Sequence, residues 1–118
     1  MQLRDFADQL TTPIAKFTQY ALNVKHPEGK HKARVFAAAL GYTTANYTAL
    51  RHQIETKALT AEAFIIRKDQ HGTHLQVDLM IQGLQNQTAI VRTGWLVPEK
   101  SNTAFLTTLY VTGTKEND

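Results

Sequence analysis

The feature that most constrains this chain is a change of period. Between His74 and Gln82, Leu75, Val77, Leu79 and Ile81 alternate with His74, Gln76, Asp78 and Met80. A period of two sends the two sets to opposite faces of a strand, so this segment predicts a strand with one apolar face. Before Glu62 the apolar residues recur at three- and four-residue intervals instead, the spacing of a helix face. The chain thus divides into a helical half and a strand half. Its 118 residues suit one domain, 1–118, with a core of its own.

In the first half, Thr12 followed by Pro13 predicts an N-cap with proline at the first helical position, and Ile14, Phe17 and Ala21 then share a face. A short helix near 13–22 follows. Residues 23–29 hold Pro27 and Gly29 and read as a connecting loop. Ala33, Phe36, Ala37 and Leu40 predict a helix over 30–40, with Gly41 at its C-cap. A third helix begins near Thr44, carries Tyr47, Leu50 and Ile54, and ends near Ala58 and Leu59.

In the second half, strands are expected over 63–68, 74–82, 88–97 and 103–112, joined by turns at 69–72, 83–87 and 98–102. Short links favour an antiparallel meander. The expected fold class is α+β: N-terminal helices packed on one face of a four-stranded, mainly antiparallel sheet, the other face left open. On the last two strands either alternating set suits the core, except that Arg92 should avoid it. Residues 114–118 read as a frayed tail.

Composition narrows the chemistry. There is no cysteine, which excludes disulfides, thiolate metal sites and thiol nucleophiles. No apolar run approaches the roughly 18 residues of a membrane span, and the first residues do not form a secretory leader, so a soluble, cytoplasmic protein is expected. Within 25–34, Lys25, Lys30, Lys32 and Arg34 stand against Glu28 alone, and this segment carries the whole formal excess of +3. His26 and His31 lie in the same ten residues.

Cations at a helix start are electrostatically unfavourable by some tenths of a kcal/mol each, so stability alone would place acids there. Backbone N–H groups, the helix dipole and cations together favour a phosphate. The plainer alternative is that Lys30, His31 and Lys32 solvate an exposed turn. No HExxH motif, nucleophile elbow or phosphate-cradling glycine loop occurs, and neither a metal nor a cofactor is expected. His71 and His74 flank a turn and read as solvated turn residues, and His52 as a surface residue on the third helix.

Metal-independent RNA cleavage needs a base for the 2′-hydroxyl proton, cations for the charge developing on phosphorus, and an acid for the departing 5′-oxygen. Histidine serves either proton task, and lysine and arginine hold charge. The candidate catalytic residues are His26, His31, Lys30, Lys32 and Tyr110. The candidate substrate-binding residues are Lys25, Arg34, Arg92, Thr93, Trp95, Thr107 and Thr108. Trp95 offers a stacking surface for a base, against the alternative of burial in the core. Tyr110 and the threonines have the alternative of ordinary strand residues.

These residues also carry a resemblance. Residues 20–23 (YALN), 26–36 (HPEGKHKARVF), Leu40 with Gly41, 91–97 (VRTGWLV) and 106–111 (LTTLYV) look like the bacterial family called domain of unknown function 6883. The likeness covers nearly the whole chain, and its HPxGxxKAxxF core keeps proline, glycine, lysine and phenylalanine at fixed offsets. It carries over to His26, Lys30, Lys32, Arg92, Thr93, Trp95, Thr107, Thr108 and Tyr110. Relatives often have proline-arginine where this chain has Ala104 and Phe105. The family occurs alone and at the ends of large toxin-like proteins, which implies an effector or toxin–antitoxin setting. Its order of helices then sheet is similar to the barnase, colicin and RelE ribonuclease toxins, a fold-level analogy.

The resulting expectation is a toxin-like, metal-independent ribonuclease, with RNA as substrate and a cognate antitoxin or immunity protein as partner. Two non-catalytic alternatives stand beside it. One is a module that binds nucleic acid or protein through the same patch, and the other is an immunity-type protein.

Overall fold

The computed structural model describes residues 1–114. Of the expected tail, 114–118, residue Thr114 ends the last strand instead, and 115–118 lie outside the described residues. A 3-10 turn at Leu3–Asp5 leads into strand β1, Gln9–Thr11, and then a π-helical turn, Lys16–Ala21. Helices α1, Lys30–Leu40, and α2, Tyr47–Lys57, follow. Four strands complete the fold: β2, Ala63–Asp69; β3, Gly72–Gln82; β4, Thr88–Val97; and β5, Thr103–Thr114.

The local chemistry accounts for these elements. The first helix is not a regular α-helix: Leu22 N–H bonds five residues back to the Phe17 carbonyl, and the wider turn buries Phe17 and Ala21. α1 buries Ala33, Phe36 and Leu40 on one stripe and stops where Gly41, at φ 83°, takes the left-handed conformation that other residues avoid. α2 starts later than Thr44 because residues 43–46 make a turn, in which the Asn46 side chain accepts from Thr43 N–H and donates to the Gly41 carbonyl.

The sheet corrects the expected four antiparallel strands. It has five, in the order β1-β5-β4-β3-β2, and β1 runs parallel to β5. Strands β2 to β5 form the expected antiparallel meander. β1 pairs only with residues 103–105, leaving the later half of β5 to be flanked by α1 and the π-turn.

One core lies between the helices and one sheet face. Leu75, Val77, Leu79 and Ile81 of β3 face it, as do Ala89, Val91, Thr93, Trp95 and Val97 of β4. On β5 the inward set changes phase. Ala104 and Leu106 are buried before a bulge at Thr107, and Leu109 is buried after it, because Trp95 pairs with Leu106 while Gly94 pairs with Thr108. Among the described residues no layer covers the opposite face, which carries His74, Gln76, Asp78, Arg92, Gly94, Thr108 and Tyr110. No helix among the described residues is long and apolar enough to cross a membrane.

Candidate functional site

The uncovered face is not flat. Gly94 lacks a side chain at the centre of the row Gln76–Gly94–Thr108, and the larger side chains around it frame a concavity of about 220 Å³. A Cβ on Gly94 would lie 2.9 Å from Thr108 Cγ2 and 3.1 Å from Thr107 Oγ1, so the bulge and the glycine are matched. Ile66, Arg67, His74, Gln76, Arg92, Thr107, Thr108 and Tyr110 line the hollow. It is smaller than the roughly 300–1,000 Å³ of a typical small-molecule cleft.

Arg92 stands on the open face, as its charge requires. It donates to Asp78 through Nε at 2.9 Å and Nη2 at 3.0 Å. The Asp78 carboxylate, and behind it the Tyr110 phenol, raise the Arg92 pKa above its ordinary value. Two of the five guanidinium N–H groups are thereby used, and the Tyr110 hydroxyl stands beside the rest.

At the β5 edge the site meets α1. Lys32 Nζ donates to the Tyr20 hydroxyl at 2.6 Å and lies 5.0 Å from the ring centroids of both Tyr20 and Tyr110. It has no carboxylate partner among the described residues. Its charge is held by aromatic faces, an arrangement worth about 0.5–1 kcal/mol at an exposed site, and stays available to an anion. Behind it, the His26 ring meets Tyr20 edge to face at 5.1 Å. His26 Nδ1 accepts from Glu28 N–H at 3.0 Å and Gly29 N–H at 2.9 Å, so this histidine caps the chain leading into α1. Its ring proton is therefore assigned to Nε2.

Across the concavity, His74 Nε2 lies 3.0 and 3.1 Å from the two Asp69 carboxylate oxygens. Asp69 also accepts from His71 N–H at 2.9 Å and Arg67 Nε at 3.3 Å. Partial desolvation raises the Asp69 pKa, but these donors outweigh it and hold the carboxyl down at about 2. A carboxylate against Nε2 fixes the orientation of the ring and leaves Nδ1 as the nitrogen not engaged by Asp69. Among the described residues no three histidine or acidic side chains cluster as a metal site requires.

Arg92, Thr107, Thr108 and Tyr110 thus meet in one hollow, with Lys32 at its rim. Thr93 and Trp95 are corrections: their side chains point into the core, at 0% and 1% exposure. There Trp95 Nε1 donates to Thr93 Oγ1, whose hydroxyl donates to the Val77 carbonyl, each at 2.7 Å. Both lie beneath the floor of the hollow. His26 is separated from it by Tyr20, and Lys30, His31 and Arg34 do not line it. Lys25 borders a second cavity, about 400 Å³, between the π-turn, α1 and residues 42–44. Tyr20, Arg67, Asp69, His74, Gln76 and Asp78 were missed. The polar set His74, Gln76 and Asp78 in the β3 alternation was their visible signal.

The family model described as Domain of unknown function (DUF6883) matches residues 2–113. The chain belongs to this family. Domain of unknown function 6883 therefore takes in every element above, from the 3-10 turn into β5, and both sides of the concavity. Among curated proteins and solved structures nothing matches the chain.

Proposed function

We propose that this protein is a toxin-like ribonuclease that cleaves RNA without a metal ion, using the uncovered sheet face rather than the outer surface of the 25–34 segment. The observation that carries this reading is the concavity itself, where an Asp69-oriented histidine, a partly free guanidinium, two threonines and a tyrosine converge beside Lys32. His74 stands in the row His74–Leu96–Phe105 and Tyr110 in the row Asp78–Arg92–Tyr110, so their backbones lie two strands apart across the sheet and four residues apart along it, about 16 Å on the diagonal, and the two side chains line the hollow from opposite ends.

In this reading His74 Nδ1 takes the proton of the 2′-hydroxyl as the 2′-oxygen attacks phosphorus. The bond from phosphorus to the 5′-oxygen breaks, Tyr110 donates the proton to that oxygen, and a 2′,3′-cyclic phosphate remains. Arg92 and Lys32 hold the charge on the non-bridging oxygens, and Thr107 and Thr108 donate hydrogen bonds. His26 keeps a supporting role, fixing the segment that presents Tyr20 and Lys32. A cognate antitoxin or immunity protein would restrain such an activity.

The folded protein should cleave RNA pools in EDTA and leave cyclic phosphate ends. His74→Ala should lower the rate about 100-fold or more, in the range of a lost proton-transfer group. Absence of cleavage across several pools counts against the proposal. A second reading, a module that binds nucleic acid without cutting it, is favoured by one observation: the Arg92 guanidinium is already held on two N–H groups by Asp78, which leaves less of its charge for a transition state. That reading predicts binding that falls steeply with salt and no cleavage.

A further inference from the structure

The sheet has two edges. β1 closes one, and the part of β5 beyond it is flanked by α1 and the π-turn. The other edge is β2, and only its start is covered: Ala63 N–H donates to the Met1 carbonyl at 2.7 Å, and Gln2 bridges Glu62. From Phe64 onward the outer side of β2 has no backbone partner among the described residues. Phe64, Ile65 and Ile66 are 54%, 48% and 53% exposed there. Single exposed apolar residues are ordinary, but three in a row on an unpaired edge form a template for another strand.

We infer that this edge is completed by an extended segment of another protein, aliphatic opposite residues 64–66 and acidic opposite Arg67 and Lys68. Charge and register select this occupant over a second copy. The free edge runs 64–69, so a two-fold antiparallel self-pairing along it sets Phe64, Ile65 and Ile66 against Asp69, Lys68 and Arg67 of the other copy. In that full-length register every apolar residue meets a charge and no charge meets its opposite, while the registers that bring the apolar residues together pair only 64–66 or 64–67, because Met1 and Gln2 already cover residues 62 and 63. An acidic–aliphatic strand satisfies both halves at once. The bulge at Ile66 and the two cations discourage flat, uncharged strands, so what protects the edge from indiscriminate pairing also selects acids. Ile66 and Arg67 line the concavity as well, so the occupant lies at its border. This inference does not rest on the ribonuclease reading.

The test uses the full chain and two capped peptides, acetyl-EDVIV-amide and acetyl-KKVIV-amide, followed by amide hydrogen exchange and titration. The acidic peptide is expected to slow exchange within residues 64–68 and to bind at least tenfold more tightly than the lysine peptide. Ile65→Lys, at an exposed position and checked for folding by circular dichroism, is expected to abolish that binding. Equal binding of the two peptides, or no protection of β2 by either, overturns the inference. A dimer in sedimentation that Ile65→Lys disperses also overturns it, making the occupant a second copy.

Discussion

At the scale of single residues, the difference between an occupied and an available charge decides what each cation can do. Arg92 is held by Asp78 and Arg51 lies beside Glu55, whereas Lys32 has only aromatic neighbours and a phenol. Lys32→Ala should therefore reduce the salt dependence of single-stranded RNA binding by about 0.7 in the slope of log affinity against log salt, the share of one phosphate contact. His31→Ala should leave that slope unchanged. Asp69 makes a separate prediction. Its folded pKa of about 2 lies below the ordinary 3.8, so the contribution of its contacts to stability is complete above about pH 4 and is lost as pH falls through 2. Denaturation midpoints of Asp69→Asn should accordingly show a shallower fall over that window than the parent protein. The asymmetry among cations was partly legible in the sequence. Lys32, Arg92 and Tyr110 were singled out there, but they are far apart along the chain, and only register and packing bring them together.

At the scale of elements, periodicity was readable wherever an element was long enough to repeat. The 30–40 helix with its Gly41 cap and the 88–97 strand match the observed bounds because several apolar positions agree in each. β1, at three residues, is too short to show a period, and its pairing with β5 is set by a partner more than ninety residues away. The phase of β5 was unreadable for a different reason. The bulge at Thr107 shifts the inward set, so neither alternating set of the strand is wholly buried. Burial within α1 gives a direct check on the observed packing. Phe36→Ala should lower the unfolding free energy by about 3–5 kcal/mol, as cavity-forming losses of phenylalanine do. Val35→Ala, on the exposed side of the same helix, should change it by no more than about 0.5 kcal/mol. Urea midpoints of the two variants provide the comparison.

At the scale of the whole molecule, the helices cover one face of the sheet and leave the other open, with α1 packed beside β5 so that Lys32 lies 5.0 Å from the Tyr110 ring. The sequence marked the basic loop and helix start as the centre of function. The structure instead distributes those residues, turning His26 into a backbone cap and leaving Lys30, His31 and Arg34 outside the hollow, while strands supply most of its lining. Such a placement depends on strand order and register, which local spacing does not encode. The direct measurement is chemical-shift mapping of the folded protein with a short single-stranded RNA whose attacked 2′-hydroxyl is methylated. Perturbations concentrated at His74, Gln76, residues 92–94 and residues 107–110, with Lys32 at the border, are the predicted result. Perturbations confined to Lys25, Lys30, His31 and Arg34, with the sheet face silent, would contradict it.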